Sequence, residues 1–235
     1  MNKAQEATIL TTDGAVASAL ENRNLVRRAW WMAGATVLLS IASFWIDKEV
    51  VSAMTLEALP GDVAKVIMLS EAFAHAFGVA AILLVVWLLD KAAPQRLPLL
   101  LAATIGSGLP VHLLKRTVAR LRPSAWDFEG PIGNTFLGWF PWRDRGWEAL
   151  GDAAIQSFPS AHTALAVSLA WGLSYWYPRG RWLFAMLAVL ASVQRIVVHA
   201  HYPSDVAAGA AIGTLTFALC ADPRCLGRWL LPSAR

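Results

Sequence analysis

Six long apolar runs recur along the chain, and they limit the fold more than any other feature of the sequence. They lie near residues 29–46, 66–89, 97–114, 161–177, 182–198 and 205–220. Each is bounded by charge, proline or glycine, and each is about the length that a helix needs to cross a bilayer, the last being somewhat short. The sequence therefore predicts an all-α, polytopic membrane protein with six transmembrane helices and no separate soluble domain.

Composition supports this prediction and excludes some partners. Hydrophobic residues make up 57% of the 235 residues and charged residues only 15%, whereas about a quarter of a soluble domain is charged. The net charge is +4, but the basic residues form no block, so a nucleic-acid partner is not predicted. The lipid bilayer is the expected partner, and no protein partner can be inferred. Cys220 and Cys225 are too few for a disulfide framework.

The polar segment 1–28 precedes the first apolar run and is predicted to be separate from the membrane domain, residues 29–235. It has neither the apolar stretch nor the small-residue cleavage site of a signal peptide. Apolar and charged residues alternate over residues 12–28, which is typical of a helix lying on the membrane surface. A frayed tail explains the segment equally well.

The basic residues of the connections indicate how the helices are oriented. With a cytoplasmic N-terminus, the cytoplasmic side receives 11 of the 20 Lys and Arg residues, and cytoplasmic connections are normally enriched in them. The bias becomes 11 against 6 when Lys115, Arg122 and Arg195, which belong to the motifs below, are set aside. We therefore expect both termini in the cytoplasm. The end of the third helix, the start of the fourth, the end of the fifth and the start of the sixth then share the outer face.

The first polar group is a pair of cations at the end of the third run. Lys115 closes that run, and Arg122 follows seven residues later, just before Pro123. A helix continuing to Pro123 would carry both cations on one side, about two turns apart. They can bind an anion there, or they can simply extend to the lipid headgroups.

The second polar group opens the fourth run with Pro159-Ser160-Ala161-His162. Ser160 is a good helix cap, and free backbone N–H groups at a helix start bind anions. His162, in the first turn, would point at the same anion. A plain cap with a polar neighbour is the alternative.

The third polar group lies between the fifth and sixth runs. Arg195 is followed by His201 and then by Asp205. A carboxylate four residues after a histidine can hold one ring nitrogen, so that the other presents its lone pair for nucleophilic attack. His199 competes for this role, but only His201 has the four-residue step to Asp205.

In chain order the groups read Lys-x6-Arg-Pro from 115, Pro-Ser-Ala-His from 159 and Arg-x5-His-x3-Asp from 195. They resemble the three-part signature of the type 2 phosphatidic acid phosphatase superfamily, which includes membrane lipid phosphatases, glucose-6-phosphatase, soluble acid phosphatases and vanadium haloperoxidases. The six-helix plan extends the resemblance over nearly the whole chain. At two positions the chain departs from the usual signature: Ala161 replaces glycine, and Gln194 replaces serine.

The resemblance implies a phosphoryl-transfer site that needs no metal or other cofactor. The groups expected to bind the phosphoryl oxygens are Lys115, Arg122, Arg195, Ser160 and the backbone N–H of Ala161. His201 would attack phosphorus and form a phosphohistidine, with Asp205 orienting its ring. His162 would protonate the leaving oxygen and then activate water.

Two pairs of residues inside the apolar runs have helical spacing. Glu71 and His75 are four residues apart, which is metal-ligand spacing, but no further ligand is near in sequence. A buried polar pair or the wall of a substrate channel is therefore the preferred interpretation. Gly209 and Gly213 form a Gly-x3-Gly pattern, which predicts close helix packing.

The connection 124–158 is the longest, and it is rich in tryptophan. Tryptophan favours the headgroup level of a membrane. The connection is therefore expected at the membrane interface, either as a lid over the site or as an aromatic belt without selectivity.

Together these patterns predict a membrane phosphatase that hydrolyses a phosphorylated or diphosphorylated lipid. Candidate substrates are phosphatidate, phosphatidylglycerol phosphate, isoprenyl diphosphate and the phosphates of lipid A. The expected location is a bacterial inner membrane, with the active site facing the periplasm or exterior. Two alternatives are a lipid phosphotransferase that uses the same phosphohistidine, and a non-enzymatic lipid-binding membrane protein.

Overall fold

The computed structural model describes the backbone of residues 3–232 and the side chains of residues 19–232. The helices are α1 (Lys3–Ser43), α2 (Asp47–Ala53), α3 (Gly61–Leu69), α4 (Ala76–Leu89), α5 (Ala93–Gly106), α6 (Gly108–Thr117), α7 (Trp142–Arg145), α8 (Ala161–Trp176), α9 (Arg181–Val197), α10 (Pro203–Ala221) and α11 (Gly227–Leu230). The strands are β1 (Val118–Arg120) and β2 (Phe136–Trp139). Most side chains of residues 1–28 lie outside the described part, so the surface helix stays a prediction.

The six apolar runs correspond to helical segments, but not all of these are long enough to be spans by themselves. Within residues 3–232, four stretches are long and apolar enough to cross a membrane: Ala19–Ala53, Ala93–Thr117, Pro178–Val197 and Pro203–Ala221. A fifth is the bent pair Gly61–Phe73 and Ala76–Leu89, whose parts meet at 67°. The fourth run forms α8, which has 16 residues and is about 24 Å long.

Helix α8 is the central element of the core. It packs against α5, α9 and α10 and buries small residues such as Ala164, Ala166 and Ser168. The Gly-x3-Gly pattern lets α10 come close to it. A Cβ at Gly209 would lie 2.4 Å from the Ser160 carbonyl oxygen, and one at Gly213 would lie 2.3 Å from that of Ala164. The predicted close packing is confirmed.

The helix predicted over 66–89 is broken, and this part of the prediction is wrong. Helix α3 ends at Leu69, a 3-10 turn covers Ser70–Phe73, and α4 begins at Ala76. His75 caps α4, its Nδ1 accepting from the Phe77 N–H at 3.4 Å. Glu71 and His75 therefore do not share one helical face. Gly78 permits the break, because a Cβ there would lie 1.8 Å from the Ala72 carbonyl oxygen.

The continuous helix predicted from Lys115 to Arg122 is also wrong, and with it the strictly all-α prediction. Helix α6 ends at Thr117, and β1 pairs with β2 as a two-stranded antiparallel sheet. Beyond the sheet, Leu121 N–H donates to the Thr135 carbonyl at 2.8 Å. All three residues of β1 are buried, so their backbone groups need partners. The sheet supplies these partners where a helix would end in the core.

Candidate active site

Backbone hydrogen bonds bring the three polar groups together at one end of the helices. Ser160 N–H, at the start of α8, donates to the Asp205 carbonyl in α10 at 3.0 Å. Ser124 N–H, after β1, donates to the His199 carbonyl between α9 and α10 at 3.0 Å. The side chain of Lys115 donates to the Gln156 carbonyl just before α8. These links fix the geometry of the site through main chain rather than through long side chains.

Three cations of the site are buried or half-buried with spare hydrogen-bond donors. Lys115 is 8% exposed and Arg195 is 9% exposed, and Arg122 is half-buried. The Nε atoms of Arg122 and Arg195 are buried without a partner among the described residues. Burial lowers the pKa of Arg122, and the Asp205 carboxylate opposes that change. Buried cations with free donors are costly, so they favour an anionic ligand.

The start of α8 faces this cluster. Ser160 is fully buried and caps the helix: its Oγ accepts from Thr163 N–H at 3.4 Å and from Thr163 Oγ1 at 3.0 Å. Its own hydroxyl proton stays available as a donor, as does the N–H of Ala161 at the first helical position. The side chain of His162 is 31% exposed, so a ligand can reach it.

His201 lies in the connection between α9 and α10 and is 3% exposed. Its Nδ1 is 3.9 Å from Asp205 Oδ2, which is too long for a hydrogen bond. Nδ1 therefore faces the Asp205 charge without the direct bond that the sequence suggests, and Nε2 is left to attack. Burial lowers the pKa of His201 to about 4, with Asp205 opposing and Lys115 and Arg122 adding to the shift. The neutral imidazole is the nucleophilic form.

Asp205 has another partner, Arg120, which the sequence analysis did not single out. Arg120 Nη1 donates to Asp205 Oδ1 at 2.6 Å, and Nη2 donates to Asp47 Oδ2 at 2.7 Å. Ser157 Oγ donates to Asp205 Oδ2 at 2.6 Å, and Ser204 also contacts Asp47. Arg120 sits in the first basic group, but nothing in its spacing distinguishes it from the neighbouring cations.

Glu71 is a second residue whose place in the site the sequence did not predict. Its Oε1 lies 3.1 Å from Arg195 Nη1 and 3.8 Å from His162 Nε2. The ring of His75 is 6.3 Å from that of His162. The pair predicted as buried is in fact partly exposed at the site. The signal was an acidic residue inside an apolar run, where charge is usually functional.

The tryptophan-rich connection 124–158 is divided between the core and the surface. Trp126 is buried in a cluster with Val51, Ile196 and Tyr202. Trp139 and Trp147 are 61% and 75% exposed. The connection therefore supports the site from below and presents aromatic rings outside. The lid and the aromatic belt both stay open as interpretations.

Comparison with known proteins assigns the chain to a family. The family model described as "PAP2 superfamily" matches residues 96–222, which is more than half of the chain and includes all three polar groups. The chain belongs to the PAP2 superfamily. No solved structure matches it significantly.

Curated relatives of this PAP2 protein match only part of it. It is 35% identical over 114 residues to the lipid A 1-phosphatase of Rhizobium etli, covering 48% of this chain and 44% of that protein. The lipid A 1-phosphatase of Rhizobium johnstonii is 35% identical over 107 residues, covering 46% and 39%. The bacitracin transport permease protein BcrC of Bacillus licheniformis is 42% identical over 60 residues, covering 26% and 30%. The chain thus spans less than half the length of the curated relatives it matches.

Proposed function

We propose that this PAP2 protein is an integral membrane phosphatase that removes phosphate from a lipid by way of a phosphohistidine. The observation that carries the proposal is the convergence of three cations, Lys115, Arg122 and Arg195, on two histidines. Fixed cations stabilise the charge of a phosphoryl group in its transition state. A nucleophile and an acid beside that group are the remaining requirements, and His201 and His162 meet them.

The proposed reaction has two steps. His201 Nε2 attacks phosphorus, the bond from phosphorus to the leaving oxygen breaks, and His162 donates a proton to that oxygen. His162 then takes a proton from water, the water oxygen attacks phosphorus, and the N–P bond breaks to release inorganic phosphate. Asp205 stabilises the charged imidazole, although 3.9 Å separates it from Nδ1. No metal enters the proposed steps, since the cations supply the positive charge.

A groove supports a lipid as the substrate. It opens between α4, α5 and α8, has a volume of about 480 Å³, and is lined almost wholly by apolar residues. Its lining includes Ala76, beside His75, and Leu165, one turn after His162, and it reaches Trp87. An acyl chain can lie in such a groove while the headgroup phosphate reaches the histidines.

The names of the relatives guide the choice of substrate. Two of them are lipid A 1-phosphatases, so a phosphate on the sugar headgroup of a lipid is the first substrate to test. We further propose that all six helical segments span the inner membrane, with the bent pair and α8 completing the count. The site then faces the periplasm.

Phosphate release by detergent-purified protein tests the proposal. The panel contains lipid A 1-phosphate, phosphatidate, phosphatidylglycerol phosphate and an isoprenyl diphosphate, each assayed in chelator. We expect release from at least one lipid, and a loss of at least about 10³-fold in His201→Ala, the usual scale for a removed nucleophile. His112→Ala, at an exposed histidine, is the matched control and should retain activity.

Other outcomes would point to the two alternatives. Turnover that appears only when an acceptor lipid is added would indicate a phosphotransferase with the same phosphohistidine. A folded protein that binds lipid phosphates and turns none over, with or without acceptors, would indicate a binding protein. Release that chelator abolishes would contradict the metal-free mechanism.

A further inference from the structure

An acidic side chain lies among the cations of the site. Glu71 follows α3 in the 3-10 turn Ser70–Phe73, and the break before α4 turns it towards α9. Its Oε1 contacts Arg195 Nη1 at 3.1 Å and lies 3.8 Å from His162 Nε2. Its side chain is 34% exposed, so the carboxylate borders the space that a substrate enters.

A second residue holds this carboxylate in place. Gln194 Nε2 donates to Glu71 Oε2 at 3.3 Å, and Gln194 is 1% exposed. The long amide reaches from α9 to the turn after α3, a distance that a serine at the same position cannot span. Glu71 is therefore fixed from both sides, by Arg195 and by Gln194, and does not extend freely into water.

The position of Glu71 relative to His162 gives it a chemical consequence. His162 is the group that protonates the leaving oxygen in the proposed reaction, so the leaving group sits beside His162. Glu71, 3.8 Å from His162 Nε2, is then close to the leaving group as well. A sugar or glycerol hydroxyl leaves without charge, whereas the leaving group of a diphosphate carries at least one negative charge next to the carboxylate.

We propose that Glu71, held by Gln194, is a specificity-determining residue that favours phosphate monoesters over diphosphates. The inference rests on the proposed function and adds the class of substrate. Like charges a few ångströms apart in a partly buried site repel by a few kcal/mol, and such repulsion is a common basis of selectivity. A neutral leaving hydroxyl meets no repulsion and can donate a hydrogen bond to Glu71.

Glu71→Gln tests the proposal because it removes the charge and keeps the shape. The amide oxygen can still accept from Arg195, so the guanidinium stays oriented. kcat/KM is measured for a lipid monophosphate and for an isoprenyl diphosphate in wild type and variant. We expect wild type to prefer the monophosphate, and we expect the ratio of diphosphate to monophosphate kcat/KM to rise at least about tenfold in the variant.

Glu57→Gln is the matched control, because Glu57 is an exposed carboxylate in the connection before α3. It should leave the ratio unchanged. Equal losses on both substrates in Glu71→Gln would overturn the proposal, since they would mean that Glu71 only positions Arg195. A wild type that prefers the diphosphate would overturn it too.

Binding separates failure of this inference from failure of the proposed function. The shift in melting temperature is measured with inorganic phosphate and with pyrophosphate, which requires no turnover. If wild type turns over no lipid, the proposed function fails. The inference then stands only if Glu71→Gln gains affinity for pyrophosphate relative to phosphate, and it is overturned if both affinities change equally.

Discussion

Two arginines of one short segment differ in what they contact, although the sequence treats them alike. Arg120 is 4% exposed and is paired with Asp47 and Asp205, while the Nε of Arg122 is buried without a partner among the described residues. Sequence spacing identified Arg122 because a known signature contains it. It could not identify Arg120, because the partner Asp47 lies 73 residues earlier in the chain and only the folded chain brings them together.

This difference predicts opposite effects of the same substitution. Arg120→Gln leaves two buried carboxylates without their cation, and breaking such a pair costs about 3–5 kcal/mol. Arg122→Gln removes a ligand for phosphate and should lower turnover with little loss of stability. Thermal unfolding in detergent, run beside the phosphatase assay, measures both effects. Equal melting temperatures for the two variants would contradict the structural role given to Arg120.

The burial of His201 predicts a dependence of stability on pH. Its pKa falls to about 4 in the folded protein, against about 6.5 in an unfolded chain. The unfolded state therefore binds more protons between these values, so the free energy of unfolding decreases as pH falls from about 6.5 to about 4. Asp205 opposes this shift, while Lys115 and Arg122 add to it.

Melting temperatures at pH 7 and pH 4.5 test this expectation. The decrease between the two pH values should be smaller in His201→Gln than in wild type. His112→Gln, at an exposed histidine, should show the wild-type decrease. A decrease of the same size in all three proteins would mean that other groups, and not His201, set the acid sensitivity.

At the scale of elements, the sequence located the apolar segments but not their interruptions. The run 66–89 contains no proline and continues its apolar pattern through Ala74, so a straight helix is the natural prediction. The break depends on close backbone contact at Gly78 and on a cap by His75, and neither has a strong local signature. Likewise β1 exists because β2, some 18 residues later, pairs with it.

Gly78→Ala tests whether this contact maintains the break. A Cβ would meet the Ala72 carbonyl oxygen at 1.8 Å, so the turn must open, at a cost of about 1–3 kcal/mol. Opening the turn moves Glu71 away from Arg195. We expect a lower melting temperature together with a change in the diphosphate to monophosphate ratio in the direction of Glu71→Gln.

Gly61→Ala provides the control, because nothing lies within 4 Å of a Cβ at Gly61. Its melting temperature and substrate ratio should match those of wild type. If Gly78→Ala were equally silent, the break would have to be maintained by the His75 cap alone.

At the scale of the whole molecule, the ends of the helices separate two kinds of polar cluster. Pairs such as Arg181 with Glu21 and Arg224 with Asp222 lie at the end where α9 begins and α10 finishes. The candidate active site lies where α9 finishes and α10 begins. The 17 residues of α9 put about 25 Å between these ends. The sequence predicted this separation from alternation of the helices alone, which is why long-range placement succeeded where local geometry did not.

Labelling from one side of the membrane tests the orientation. Cys225 lies just beyond α10, at the end away from the site, and is partly exposed, whereas Cys220 is buried. In right-side-out vesicles a membrane-impermeant maleimide should leave Cys225 unlabelled until detergent is added, because basic connections favour the cytoplasm. Glu148→Cys in a Cys225→Ser background should label at once, since Glu148 is exposed in the connection beside the site. Labelling of Cys225 first would reverse the orientation, and it would place the phosphatase site on the cytoplasmic face.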